Sequence, residues 1–241
     1  MRFLTFENKA ALGEALGERI AEEIREKPDL VLGLATGSSP LETYGHLAKE
    51  VKEGRLSFQK VRSFNLDEYI DCPIEQETYR AFMNDNLFSK VDIDLNNTHF
   101  PSSDNPEGYD EEIAAVGGID FQVLGIGRNG HIGFNEPGTP ADSKTSVIHL
   151  TQSTIDANAR FFGNDKSLVP TKAVSMGLAT IMGAKKIALI ANDTSKLVPI
   201  MGLMKGEKDV LKNPSAVLLD HPDVTIYLTK DLADAIAAKM K

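Results

Sequence analysis

The chain has no tryptophan, a single cysteine, no basic excess and no long apolar run. The lone Cys72 excludes an intramolecular disulfide and any zinc site built from several cysteines. The missing tryptophan excludes no function. Lys and Arg number 26 against 35 Asp and Glu, for a formal net charge of −9. With no basic run to offset that balance, neither nucleic acid nor an anionic membrane is expected as the main partner. No apolar stretch approaches the roughly 20 residues that span a bilayer. The opening MRFLTFENKA lacks the basic and apolar regions of a signal peptide. A cytoplasmic, soluble protein is therefore expected. What is present is ordinary globular material. The 241 residues are 41% hydrophobic and 25% charged, enough for one large core without disulfide or metal staples. A single domain over residues 1–241 is expected, with no internal repeat and no linker.

Strand-like and helix-like segments alternate. Leu12, Leu16, Ile20 and Ile24 form one apolar stripe on a helix from about Asn8 to Lys27, which Pro28 ends. Leu30–Leu34 is continuously apolar, as a buried parallel strand is. Ala35–Ser39 then leads into a helix with Pro40 in its first turn. Further strands are expected at Val61–Leu66, Phe121–Ile126, Lys186–Ala191 and Val224–Leu228. Helices are expected at 78–87, 108–116, 171–182, 195–204 and 231–240. The alternation predicts an α/β fold, a doubly wound and mostly parallel sheet with helices on both faces. Two irregular stretches interrupt it, Asp67–Ile74 and Arg128–Pro170. Ligands of such sheets sit at the carboxyl ends of the strands, where 35–39, 65–69 and 125–138 fall.

Each of these three segments has a chemical reading and a structural one. In Thr36-Gly37-Ser38-Ser39 the hydroxyls, the glycine and the free N–H groups of a helix start suit a phosphate. Equally, Ser38 or Ser39 could cap the helix. It is not a Walker A loop, for it lacks the Gly-Lys-Ser/Thr ending. Asp67-Glu68 sets two carboxylates at a strand end, where partial burial prepares a general base, or where one of them caps the next element. The third segment contains a formal G-x-G-x-x-G at Gly125, Gly127 and Gly130. Gly133, Pro137 and Gly138 follow, too poor in helix formers for a dinucleotide turn, so no nucleotide cofactor is expected. His131 with Glu136 five residues on, among Asn129 and Asn135, has the makings of an acid/base pair; the same groups could simply tie the loop together. There is no HExxH, and His46, His99, His149 and His221 lack ligand spacing, so no metal is expected. Arg160 and Lys196 are isolated cations of the kind an acidic protein needs to bind an anion.

Taken together, the segments resemble the glucosamine-6-phosphate deaminase family, also called glucosamine-6-phosphate isomerases. Leu32–Pro40 is similar to its phosphate loop, and Phe64-Asn65-Leu66-Asp67-Glu68-Tyr69 to its F-N-[LM]-D-E-Y motif. Gly125–Pro137 is similar to its G-x-G-x-[ND]-G-H-I-[AG]-F-N-E-P signature, and 153–170 to its lid. The likeness is collinear to about Leu228. It implies the α/β fold shared with 6-phosphogluconolactonases, a lid at about 151–170, and conversion of glucosamine 6-phosphate and water to fructose 6-phosphate and ammonia in amino-sugar catabolism. It implies no cofactor and no metal. By motif, His131 would open the sugar ring, with Glu136 and Asn129 orienting it. Asp67 would carry a proton from C2 to C1. Thr36, Gly37, Ser38, Ser39, Arg160 and Lys196 would hold the phosphate.

Two departures stand out. Many relatives have Asp where this chain has Asn129, so a fully charged relay is not available. Allosteric relatives carry R-T-R-I-K where this chain has Lys144-Thr145-Ser146-Val147-Ile148, and the chain ends soon after its last helix. Activation by N-acetylglucosamine 6-phosphate is therefore not expected, and a monomer or small homo-oligomer is. The alternatives are a 6-phosphogluconolactonase, which needs no base at Asp67, and a non-catalytic sugar-phosphate sensor, which normally adds a DNA-binding helix pair.

Overall fold

The computed structural model describes residues 1–240. Its strands are β1 (Arg2–Phe6), β2 (Val31–Leu34), β3 (Arg62–Asn65), β4 (Asp67–Tyr69), β5 (Thr98–His99), β6 (Phe121–Gly125), β7 (Ser146–His149), β8 (Lys172–Ser175), β9 (Lys186–Ala191) and β10 (Val224–Thr229). Its α-helices are α1 (Lys9–Glu26), α2 (Leu41–Lys52), α3 (Tyr79–Asn86), α4 (Pro106–Ala115), α5 (Gln152–Asn158), α6 (Leu178–Met182), α7 (Leu197–Met204) and α8 (Lys230–Lys239). Seven strands make one sheet in the order β1-β10-β9-β6-β2-β3-β5, and every pairing in it is parallel.

The strand pattern explains the layers. Side chains alternate across a strand, so Val31, Leu124, Leu189 and Ile226 enter one core with α4, α6, α7 and α8. Leu32, Val123, Ile190 and Tyr227 enter the other, beneath α1, α2 and α3. The stripe Leu12, Leu16, Ile20 and Ile24 lies in that second core. Asn8 caps α1 by accepting from the Ala11 N–H. Among the described residues no helix is long and apolar enough to cross a membrane.

The order reverses at the centre of the sheet. From β2 the chain runs outward to β3 on one side, whereas β6 pairs with β2 on the other and leads on to β9. A crevice opens at the carboxyl ends of strands where such a reversal occurs. Residues 35–39 and 126–136 both leave the sheet at this crevice.

A second, antiparallel sheet, β4-β8-β7, was not foreseen. The expected helix at 171–182 is corrected by it: Lys172–Ser175 is strand, and only Leu178–Met182 is helical. Ala173 and Val174 fit either period, and pairing with β4 and β7 decides for strand. The irregular stretches likewise contain β4, β7 and α5. The amino-terminal strand β1, which alternates weakly in the sequence, completes the sheet edge by pairing with β10. Tyr69, Phe134, Phe162, Val169 and Ala173 form a third apolar cluster, which fastens the 151–170 segment to the small sheet.

Candidate active site

The segment after β2 has no helix-capping task. The residue at the start of α2 is Pro40, and no side chain caps the helix. Among the described residues the hydroxyls of Ser38 and Ser39 are thus not used as caps. Gly37 has φ +93°, a conformation that favours glycine, and nothing lies within 4 Å of where its Cβ would be. The side-chain oxygen of Asn192, just beyond β9, lies 3.5 Å from the Ser39 hydroxyl, which joins this loop to the end of β9.

The two carboxylates that follow β3 have different surroundings. Glu68 supplements the Thr78 cap of α3: it accepts from the backbone N–H of Tyr79 at 2.9 Å and of Arg80 at 2.9 Å, at the start of that helix. Asp67 is buried, 6% exposed, and has no hydrogen bond or ion pair among the described residues. Burial, joined by the negative charge of Glu68, pushes its carboxyl up to about 8.

The small sheet brings Asp67 to the glycine-rich loop. Asp67 pairs with Ser175 in the β4–β8 ladder. The Ser175 hydroxyl accepts from the Phe134 N–H at 3.0 Å, and the Asn135 amide donates to the carbonyl of Met176 at 2.8 Å. Gly133 therefore sits over Asp67: a Cβ there would stand 3.8 Å from the carboxylate Oδ2. Gly127 leaves room for the His131 ring, which a Cβ would approach to 2.2 Å. Gly127, Gly130 and Gly133 thus make room for the side chains of His131, Asn213 and Ser175.

Within the loop, the Nδ1 of His131 lies 2.8 Å from the Asn129 amide oxygen and 3.4 Å from Glu136 Oε1. The Asn129 NH₂ donates to Glu136 Oε2 at 2.6 Å, and the Thr154 hydroxyl donates to Oε1 at 2.8 Å. Burial raises the Glu136 carboxyl, but the hydrogen bonds and charge of His131, with Thr154 and Asn129, outweigh it and hold the group at about 2. A carboxylate accepts only, so the Asn129 nitrogen faces it and the Asn129 oxygen takes Nδ1–H. Nε2 of His131 is left as the lone-pair atom, on a ring that is partly exposed.

Cations gather on the other side of the crevice. Lys196 ends the turn Thr194–Lys196 after β9. Burial lowers its ammonium pKa; Asp193 opposes this, while the positive charges of Arg128, Arg160 and Lys9 add to it. Arg160 lies against the Phe161 ring at 4.7 Å. Among the described residues Arg128, Arg160 and Lys196 form no ion pair, and the first two are close enough to Lys196 to act on its charge. Arg128 is a cation that the sequence reading passed over. Its only signal was its place inside the glycine-rich loop, and the loop's contact with Pro199 on α7 brings it toward Lys196.

Two other features lie apart. A cavity of about 380 Å³ lined by Lys27, Asp29, Lys60 and Arg62 opens at the amino ends of β2 and β3, opposite the crevice. Glu18, His46 and Glu50 cluster on α1 and α2, and Arg25 and Arg55 already occupy those carboxylates.

A family model described as glucosamine-6-phosphate isomerases/6-phosphogluconolactonase matches residues 7–227. The glucosamine-6-phosphate deaminase 1 of Giardia intestinalis is 50% identical over 228 residues, 92% of this chain and 85% of that protein. The glucosamine-6-phosphate deaminase of Mycoplasma mycoides subsp. mycoides SC is 46% identical, with 98% of both chains covered. A solved structure of a monomeric glucosamine-6-phosphate deaminase matches with a TM-score of 0.93 at 36% identity, over 97% of this chain and 99% of that one. A 6-phosphogluconolactonase from Thermotoga maritima shares the fold, with a TM-score of 0.72 at 18% identity, over 95% of this chain and 98% of that one.

Proposed function

The chain belongs to the glucosamine-6-phosphate isomerase/6-phosphogluconolactonase family, and from that membership we propose that it converts glucosamine 6-phosphate and water to fructose 6-phosphate and ammonia. The observation that carries the choice within the family is Asp67. It is a buried carboxylate with no partner among the described residues, facing the loop that bears His131 and Glu136. Lactone hydrolysis has no use for a base at that place, whereas moving a proton between adjacent carbons requires one.

The chemistry follows the groups in turn. Nε2 of His131 takes the proton of the anomeric hydroxyl and returns one to the ring oxygen, so the C1–O5 bond breaks and an aldehyde forms. Asn129 and Glu136 keep Nδ1–H pointed away from the substrate and stabilise the imidazolium that forms in passing. The Asp67 carboxylate removes the proton at C2 while the substrate's ammonium group gives one to the aldehyde oxygen, which yields a neutral enolamine; Asp67 then delivers its proton to C1 on the same face. The cationic amino group of the substrate, arriving beside Asp67, favours its ionised form. The resulting C2 iminium takes up water, and ammonia departs to leave the ketone. Ser38, Ser39, Thr36 and the backbone at Gly37 hold the phosphate with Arg160 and Lys196, and Arg128 joins them. Binding there orients the reacting carbons at the far end of the sugar. Residues 151–170 act as the lid.

Lys144 is the one cation left in the stretch that ends in β7, where Ser146 and Ile148 stand at positions that are basic in allosteric relatives. We propose that N-acetylglucosamine 6-phosphate is not an activator and that the enzyme works as a monomer or small homo-oligomer. The test is release of ammonia and fructose 6-phosphate from glucosamine 6-phosphate, without metal or nucleotide, with and without that ligand. Equal release of both products on an unchanged hyperbolic curve is expected. Hydrolysis of 6-phosphogluconolactone with no ammonia would replace this reading by the lactonase one.

A further inference from the structure

The 151–170 segment touches the acid/base machinery through one hydroxyl. Thr154 is buried in the first turn of α5. Its Oγ1 lies 2.8 Å from Glu136 Oε1, the same oxygen that faces His131 Nδ1 at 3.4 Å. A second hydroxyl, Thr151 Oγ1, lies 3.0 Å from Thr154 Oγ1, and a third, Ser153 Oγ, lies 2.9 Å from Thr151 Oγ1.

The donor direction along this chain follows from its end. Glu136 is ionised and can only accept. Thr154 has a single hydroxyl proton, so that proton points at Glu136. Thr151 must then donate to Thr154, and Ser153 to Thr151. Thr151 also accepts from the Thr154 N–H at 3.3 Å, which caps α5. The orientation of Oε1 is thereby tied to the folded first turn of α5. Asn129, on the loop itself, holds only the other oxygen, Oε2. Two donors from two separate segments fix the carboxylate plane, and one of the two belongs to the lid.

We propose that Thr154 is a positioning residue for the reaction: it aims Glu136 at His131 when the 151–158 segment is docked, and so makes ring opening conditional on that docking. This rests on the reading of His131 and Glu136 as the acid/base pair. When α5 moves away, Oε1 loses its donor, and Glu136 is free to turn toward solvent. His131 would then be oriented by Asn129 alone, and its imidazolium would lose the nearby anion. Binding at the phosphate cations does not pass through Thr154, so the effect belongs in kcat rather than in KM.

Steady-state ammonia release by Thr154→Val and Thr154→Ser tests this. Valine keeps the shape and removes the hydroxyl; serine keeps the hydroxyl. A hydrogen bond to a charged group corresponds to roughly tenfold or more. Thr154→Val is expected to lower kcat about tenfold, with KM little changed, and Thr154→Ser is expected to restore most of it. In a Glu136→Ala background the Thr154→Val substitution is expected to have no further effect, since the hydroxyl then has nothing to aim. A wild-type kcat for Thr154→Val beside an impaired Glu136→Ala would overturn the role of Thr154 and leave the acid/base pair standing. A full Thr154→Val defect persisting in the Glu136→Ala background would also overturn it. Glu136→Ala at the wild-type rate would remove the acid/base reading and this inference together. Thr154→Ala, which leaves the Thr151 cap in place, carries the same expectations should the valine variant fail to fold.

Discussion

His131 meets Asn129 before it meets Glu136: Nδ1 is 2.8 Å from the amide oxygen and 3.4 Å from the carboxylate. A neutral amide therefore bridges the imidazole and the anion, accepting from one and donating to the other. Asn129→Asp would set a second carboxylate where the amide now donates to Glu136 at 2.6 Å. Two carboxylates at that distance do not both ionise freely, and one keeps its proton to higher pH. Below the Asp67 ionisation the acid-side limb of the rate profile is expected to steepen in Asn129→Asp, because a second ionisation adds to it. Rate–pH profiles of the two proteins check this, and superimposable curves would argue against the bridge.

Asp67 must be ionised to act as a base, yet burial raises its carboxyl to about 8. In the free enzyme kcat/KM is expected to climb with pH and level off above about 8, with an acid limb of unit slope. Asp67→Asn is expected to lose turnover by about 10²-fold or more while still binding the phosphorylated sugar. Activity near the wild-type level would remove Asp67 from the base role.

The same shift has a stability consequence. The folded-state pKa of Asp67 lies above the unfolded value near 3.9, so the unfolded chain releases this proton first as pH rises. Its contribution to stability is whole below about pH 4 and is lost as pH climbs through about 8. Asn cannot ionise. Asp67→Asn is therefore expected to melt higher than the wild type at pH 9, by about 2–4 °C for each kcal/mol relieved, and close to it at pH 4. Thermal melts at the two pH values decide the point; a constant difference would contradict the assignment.

Among the described residues Arg128, Arg160 and Lys196 are three cations without ion-pair partners, and the first two act on the charge of Lys196. Each, replaced by Ala, is expected to raise KM for glucosamine 6-phosphate by about 10- to 100-fold, the range for hydrogen bonds to a charged group. Weak turnover of unphosphorylated glucosamine should be unaffected. Measuring both substrates separates phosphate binding from a general defect. An Arg128→Ala enzyme with unchanged KM would leave the phosphate to the other two.

Gly130 has φ +84°, and a Cβ there would meet the Asn213 side chain at 1.9 Å. Gly130→Ala combines a left-handed backbone with a clash, at a cost of about 1–3 kcal/mol for the backbone alone. A lower melting temperature and a loss of kcat together are expected, because the loop that carries Asn129 and His131 must shift. Melting and activity assays on one preparation test the link between them.

Much of this was readable from residue order. Buried parallel strands such as Leu30–Leu34 show as unbroken apolar runs, and α1 shows as its 12-16-20-24 stripe. Both are local patterns with a period of their own. The polar and glycine-rich segments after β2, β3 and β6 could be placed at the site because parallel strands all point their carboxyl ends one way. β8 was not readable, since Ala173 and Val174 suit helix and strand alike and only pairing with Asp67–Tyr69 and Ser146–His149 selects strand. Arg128 was missed because a cation's lack of a partner is a fact about distant residues. The different surroundings of Asp67 and Glu68 were equally hidden: Glu68 accepts from the first N–H groups of α3 eleven residues on, and among the described residues Asp67 has no partner.

Local chemistry along the chain was therefore sufficient for the α/β plan and for placing three polar, glycine-bearing loops at the carboxyl ends of its strands. Which residues of those loops meet was settled by long-range pairing. β8 holds Asp67 through the β4 ladder and the 131–136 loop through Ser175 and Met176, and so carries one carboxylate against a loop more than sixty residues away. Burial of Asp67, and with it the raised pKa a base requires, exists only once that strand is in place, because desolvation is a property of the assembled surroundings and not of the aspartate itself.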